Sequence, residues 1–376
     1  MSGFLSSIYL HYHWTSRSTG EAERKLLQST MFGDKTASCS GVKFENFDVE
    51  LADGRVISTL RLAVKDLSSS NADPSTPPAC NEPILLLHGF AAARALWFRF
   101  LPYLTSQNVR RDIYAIDLPG MGLSSPISKH EVKAFKRMKT ARERNEEVMR
   151  YYTSAIEGWR KKVNLKRVLL IGHSFGAMIA LQYTLELPEA VTKLVLLSPV
   201  GLPLTLPEDR LEDGSSDGSI AKTDELKPRA AGPLLPILIR TFISDSKSFE
   251  TIDGAQKNHL WRYVYGFVRE RSSAESLISF CVRELPYNLL PLVDLLANNY
   301  LGGKGAPVCH SGDLLAEIPE STNVIILRGS HGWVTKVYLG EKARLRGVKL
   351  LELPDMSHAM HIENPEKVWH ALSPYI

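Results

Sequence analysis

A chain of 376 residues, 44% hydrophobic and 23% charged, has the composition of a globular protein, and disorder throughout is excluded. A net charge of +4 is too small for a chain of this size to call for a nucleic-acid partner from charge alone. Cys39, Cys80, Cys281 and Cys309 stand far apart with no C-x-x-C pair and no histidine at metal spacing, so neither a zinc site nor a dense disulfide framework is suggested, and a reducing, intracellular setting fits best. No apolar run approaches the roughly 20 residues that span a bilayer, and no cleavable leader pattern opens the chain, so a soluble or peripheral protein is expected.

At the start of the chain, Phe4, Leu5, Ile8, Tyr9 and Tyr12 gather on one helical face. This pattern alone leaves two readings open, a membrane-surface anchor or a terminal helix docked on the core. Residues 42–64 read as two strands joined at Asp53-Gly54, a dipeptide suited to the positive φ of a hairpin turn. The polar stretch 66–82, with Ser68-Ser69-Ser70 and Pro77-Pro78, reads as a mobile loop. Four short apolar runs follow, at 84–87, 113–116, 168–171 and 194–197, and two more at 324–327 and 348–351. Unbroken apolarity over so few residues is expected of parallel strands buried on both faces. Helical spacing lies between them, at 141–162 and 176–187. The fold class expected is therefore α/β, a mostly parallel sheet with helices on both faces.

More than a hundred residues separate the fourth and fifth runs without repeating this rhythm. The expected organisation is an N-terminal segment at 1–40, a core at 41–203 and 321–376, and an inserted helical cap at 204–320.

The sequence Leu169-Leu170-Ile171-Gly172-His173-Ser174-Phe175-Gly176 joins an apolar strand to G-x-S-x-G and a small-residue helix start, the form of a nucleophile elbow. The turn is so tight that side chains at the two glycines would strike the adjoining strand and helix. Ser174 is the candidate nucleophile. The amide of Phe175, at a helix N-terminus, is one candidate oxyanion donor, and the amide of Phe90 in His88-Gly89-Phe90 is the other. His88 is expected to brace that loop. His358, after the last strand and the turn Pro354-Asp355-Met356-Ser357, is the candidate general base. His361 and His370 are expected on a solvated loop and a helix surface.

The triad acid is not identified. The loop after the run at 324–327 carries no carboxylate between Arg328 and Gly340, and Ser198-Pro199-Val200-Gly201 carries none either. Glu352 and Asp355 stand near His358 in sequence only. Loss of the acid lowers turnover by about 10⁴ in a serine protease, so a serine-histidine dyad is one expectation and a near-inert relative another.

On these residues the chain resembles the α/β-hydrolase superfamily. More narrowly, it is similar to the subgroup of abhydrolase domain-containing proteins four and five and their fungal and plant relatives. The subgroup's landmarks here are Glu21-Ala22-Glu23-Arg24-Lys25-Leu26-Leu27, Leu96-Trp97, Asp117-Leu118-Pro119-Gly120 with Gly122 and Ser124, Ile156-Glu157-Gly158-Trp159-Arg160, and Gly201-Leu202-Pro203. The resemblance implies release of acyl chains from phospholipids, acyl transfer to lysophosphatidic acid, or coactivation of a lipase where the serine is replaced. It also implies an acyltransferase motif H-x-x-x-x-D, which here runs from His358 to Glu363 and so changes the last residue. The family's acid position falls at Gly332 or Thr335.

The expected activity is serine-dependent hydrolysis of lipid acyl esters, of phospholipase or lysophospholipase type, with transfer to a lysophospholipid as a second outcome. The alternatives are a weak or inactive lipid-binding coactivator, and a peptidase or small-ester hydrolase. No cofactor, metal or nucleic acid is expected. Lipid is the expected partner, with peripheral contact at a membrane or lipid droplet. The expected location is intracellular and cytoplasmic, with mitochondria left open.

Overall fold

The computed structural model describes residues 16–31, 42–64, 82–105, 111–139, 141–200, 235–269, 314–331 and 344–376. In chain order the principal elements are α1 (Ser16–Met31), β1 (Val42–Glu50), β2 (Val56–Val64), β3 (Ile84–Leu87), β4 (Ile113–Ile116), α2 (Lys129–Arg137), α3 (Ala141–Lys162), β5 (Val168–His173), α4 (Phe175–Glu186) and β6 (Val191–Leu197). They continue with α5 (Leu235–Asp245), α6 (Gly254–Arg269), β7 (Asn323–Gly329), β8 (Lys349–Leu353), α7 (Met360–Glu363) and α8 (Pro365–Leu372).

The eight strands form one sheet in the order β1-β2-β4-β3-β5-β6-β7-β8. The hairpin β1–β2 is antiparallel and joins β4 antiparallel, with its turn at Gly54 (φ 81°). All pairings from β4 to β8 are parallel. Every residue of β3 and β4 is buried, the outcome expected of unbroken apolar runs with helices on both faces. Alternation of side chains sends Leu85, Leu87 and Leu170 to one face, under Trp159 of α3 and Phe175 of α4. Leu86, Ile171 and Val195 go to the other, under Leu26 of α1 and Trp261 of α6.

The chain leaves β3 toward β4 on one side and returns to β5 on the other. That reversal opens a crevice beyond the carboxyl ends of β3 and β5, where open α/β sheets place their ligands. His88 follows β3 and Ser174 follows β5, so both stand at this crevice.

Of the 1–40 segment, residues 1–15 and 32–40 lie outside the described residues. Helix α1 packs on α6, and Gly266 of α6 stands so near Thr19 that a side chain there would collide with it. The loop 66–81 also lies outside the described residues, as do 204–234 and 270–313 of the span expected to form a cap. Within that span α5 and α6 contribute Ile239, Ile243, Leu260 and Tyr263 to the second core cluster, and the described residues 314–320 contribute Leu315 and Ile318 to the first.

The landmark Trp159-Arg160 is a brace. Trp159 Nε1 donates to Thr59 Oγ1 at 2.9 Å, tying α3 to β2, and Arg160 donates to the carbonyls of Leu165 and Lys166 just before β5.

Candidate active site

Ser174 occupies a backbone conformation of φ 54° and ψ −115°, a region that a non-glycine residue holds only when its surroundings enforce it. Two close approaches do so. A Cβ on Gly172 would strike the backbone of Gly176 and Ala177, and one on Gly176 would strike the carbonyls of Leu87 and His88. Ser174 is the N-cap of α4, yet its hydroxyl makes no capping bond. Instead Ser174 Oγ lies 2.9 Å from His358 Nε2. Being first in the helix, the Phe175 amide has no intrahelical acceptor.

The opposite wall is the loop after β3. His88 is buried, donates from Nδ1 to the carbonyl of Gly89 at 2.8 Å and accepts from the amide of Leu118 at Nε2 at 3.0 Å. Holding the Gly89 carbonyl fixes the plane of the next peptide, so the Phe90 N–H points away from that carbonyl. The α-carbon of Gly89 presses on the elbow itself: a Cβ there would sit 3.1 Å from both Ser174 Cβ and His173 Nδ1. His88 thus braces the loop, as its position in the sequence leads one to expect.

Four groups hold the turn that carries His358. His173 Nε2 donates to the His358 carbonyl at 3.0 Å, and the amide of Ser357 donates to Glu363 Oε2 at 2.7 Å. Ser357 Oγ and Ser248 Oγ are 3.0 Å apart, and the amide of His331 donates to the Met356 carbonyl at 3.0 Å. The carboxylate of Glu363 therefore braces the turn that carries His358. Arg99 grips the following turn through the carbonyls of Ile362 and Glu363.

His361 corrects a sequence expectation. It is buried, not solvated, with its ring 4.5 Å from that of Trp97 and 4.4 Å from that of His173. Helix α7 begins two residues after His358 and turns His361 inward, a reversal that loop composition does not announce. His370 is exposed on α8, as expected.

Neither nearby carboxylate weighed as the acid faces His358. Glu352 pairs with Arg328, and Asp355 is 86% exposed with its carboxylate 3.9 Å from His331. Gly332 and Thr335 lie outside the described residues. No group of histidine, cysteine and acidic side chains suited to a metal ion occurs among the described residues.

The sequence reading missed a buried ionic cluster beside the oxyanion loop. Glu23 of α1 receives two hydrogen bonds from the Arg94 guanidinium, at 2.7 and 3.1 Å, and Arg94 also donates to Ser58 Oγ at 2.9 Å. Asp117 accepts from the amides of Arg94 and Leu123, at 2.7 and 2.9 Å. Glu23 and Asp117 both belong to family landmarks, which was the available signal.

Burial pushes the pKa of His88 and His173 down from 6.5 to about 4, and holds those of His358 and His361 well below their ordinary value, with His173 adding to both. A neutral His358 leaves Nε2 able to accept the Ser174 proton. Because these rings are protonated more readily when unfolded, the stability that His88 and His173 contribute by staying neutral is fully present above pH 6.5 and is lost as pH falls toward 4. The loss is on the order of 3 kcal/mol each for His88 and His173. Urea midpoints at neutral pH and near pH 4 should differ accordingly, and His88→Phe or His173→Phe should flatten that dependence. An unchanged slope in both variants would refute the assignment.

Residues 82–219 match the family described as alpha/beta hydrolase fold. The chain has the α/β-hydrolase fold. It is 25% identical over 340 residues to the 1-acylglycerol-3-phosphate O-acyltransferase ICT1 of Saccharomyces cerevisiae, covering 76% of this chain and 79% of that one. It is 24% identical over 294 residues to the (lyso)-N-acylphosphatidylethanolamine lipase of Homo sapiens, covering 75% of each. Among solved structures, a bacterial membrane phospholipase A superposes with a TM-score of 0.52 at 19% identity over 100% of this chain and 97% of that one, a likeness of fold alone. The sheet order and the elbow thus agree with the fold named by the family match and by the solved structure.

Proposed function

We propose that this protein is a serine hydrolase of lipid acyl esters, in which Ser174 is the nucleophile and His358 its general base. The 2.9 Å approach of Ser174 Oγ to His358 Nε2 carries the reading. Ser174 Oγ bonds to the ester carbonyl carbon as its proton passes to His358 Nε2. The amides of Phe90 and Phe175 receive the developing oxyanion. Collapse of the adduct breaks the bond to the leaving oxygen, which takes the proton from His358 and departs as the alcohol. Water then repeats the sequence on the acyl-enzyme and releases a fatty acid. A lysophospholipid hydroxyl in place of water gives acyl transfer.

The lipid substrate is supported by the relatives, which are named as a lipase of N-acylated phospholipids and an acyltransferase to acylglycerol phosphate. Phospholipid or lysophospholipid is the substrate class proposed here.

A fluorophosphonate probe tests the site. Covalent labelling of wild type is expected, absent in Ser174→Ala and strongly reduced in His358→Ala. Folded wild type that takes no label would replace this reading with that of a non-catalytic, lipid-binding coactivator. Fatty acid released from phospholipid rather than only from short soluble esters separates the lipid reading from that of a small-ester hydrolase.

Peripheral attachment inside the cell, at a membrane or lipid droplet, belongs to the same proposal and rests on the apolar face of residues 4–12. Deleting residues 1–15 should shift the protein from membranes to the soluble fraction of disrupted cells. No shift would refute the anchor.

A further inference from the structure

We propose that the outer face of α2 is a docking surface for an anionic phospholipid bilayer, placed on the edge of the sheet where Ser174 opens. The inference rests on the reading of Ser174 as a lipid hydrolase and names the surface from which the substrate comes.

The helix has two unlike faces. Lys129, Lys133, Lys136 and Arg137 recur at i, i+4, i+7 and i+8, within about 100° of arc, and all four are exposed. Lys139 extends the cationic row past the last turn. Opposite them, Phe135 is buried and Glu131 is turned back to the N-cap, where it accepts from the amide of Ser128 at 2.6 Å while Ser128 Oγ accepts from the amide of Glu131. Among the described residues, Lys129, Lys133, Arg137 and Lys139 form no ion pair. In an ordinary solvated helix face, acidic residues at i±4 offset such a row. Here the one carboxylate of the helix points away.

Its place in the fold favours a membrane over another polyanion. Strand β2 runs antiparallel to β4, with Thr59 opposite Ile116, so Val56 lies beyond the carboxyl end of β4. The amide of Ser125 donates to the Val56 carbonyl at 2.8 Å, which fixes the entry to α2 on that edge. A row of edge-to-face ring contacts then ties the helix to the elbow: Phe135 to Tyr151 at 5.9 Å, Tyr151 to Tyr152 at 5.8 Å, and Tyr152 to Phe175 at 5.3 Å. The last ring belongs to the residue after Ser174. A surface that binds lipid headgroups through α2 would therefore lie beside the crevice, so that a phospholipid leaving it has a short path to the serine. With a net charge of +4 the chain is not basic as a whole, and the cationic density is local.

Full-length protein should co-sediment with vesicles of phosphatidylcholine mixed with phosphatidylserine far more than with phosphatidylcholine alone, and added salt should weaken that binding. The fourfold variant Lys129→Gln, Lys133→Gln, Arg137→Gln and Lys139→Gln should bind the mixed vesicles roughly tenfold or more weakly, as four lost cationic contacts require. Its thermal melting should match wild type, since all four side chains are exposed. Should it melt early, the pair Lys133→Glu and Arg137→Glu reads the same effect with less change to the helix. Equal binding of wild type to both vesicle types, unchanged binding of a folded variant, or tighter binding to an RNA oligonucleotide than to mixed vesicles would each overturn the proposal. Co-sedimentation needs no turnover. Vesicle binding without fluorophosphonate labelling would therefore sink the hydrolase reading and leave the surface standing, and labelling without charge-selective binding would do the reverse.

Discussion

Ser174→Ala should abolish acyl-ester turnover, a loss on the order of 10⁴- to 10⁶-fold in kcat/KM, and His358→Ala should lose a comparable factor. The two act as a unit, so the double variant should be scarcely worse than either single one. The residual rate in all three reports what binding and the Phe90 and Phe175 amides achieve without a nucleophile. Ser174→Ala should leave stability nearly unchanged, because the hydroxyl does not cap α4. Equal turnover by wild type and Ser174→Ala would remove the serine from the reaction. Strict additivity of the two losses would remove the proton transfer between the two residues. The size of the wild-type rate also reports on orientation of His358: a dyad without an acid should fall about 10⁴-fold short of a complete triad.

Glu23→Ala should destabilise the fold by about 3–5 kcal/mol. Glu23 and Arg94 are 1% and 2% exposed, and removing the carboxylate leaves the guanidinium with two donors unmatched in a place that water does not reach. The proximity of Asp117, 3.9 Å from Arg94 Nε, offsets part of this charge. The contrast is Glu21→Ala in the same helix, which removes an exposed ion pair with Lys25 and should cost less than about 1 kcal/mol. Urea denaturation should show a fall in midpoint at constant slope for Glu23→Ala and almost none for Glu21→Ala. Equal effects would refute the cluster as a keystone between α1 and the loop that carries Phe90. Glu23→Ala should also lower kcat, because Arg94 follows that loop within four residues of Phe90.

The strands could be read because burial on both faces demands an apolar residue at every position, a requirement visible in a window of four. The elbow was visible because its glycines are set by collision at close range, between Gly172 and Gly176 and between Gly176 and the end of β3. His361 was misread because nothing local distinguishes a solvated loop histidine from one turned in between Trp97 and His173. Those partners lie far away in sequence, and only the arrangement of β5 and the turn after β3 brings them to the same place. Glu363 shows the same limit. Its spacing from His358 suggests a shared chemical motif, whereas its carboxylate is spent on the amide of Ser357.

The sequence by itself determined the α/β architecture, the elbow at Ser174 and the position of His358, since each rests on local sterics or on a period of hydrophobicity. Tertiary structure alone decided which groups hold those residues in register. His173 on the His358 carbonyl, His88 on the Leu118 amide and Glu23 on Arg94 join segments that are remote along the chain. The physical reason is that a hydrogen bond or ion pair leaves its mark on residue type at two separate places, and only the folded chain shows which places meet. The same holds for α2: the cationic row is plain in the sequence, but its standing beside Ser174 depends on the packing of Phe135, Tyr151, Tyr152 and Phe175.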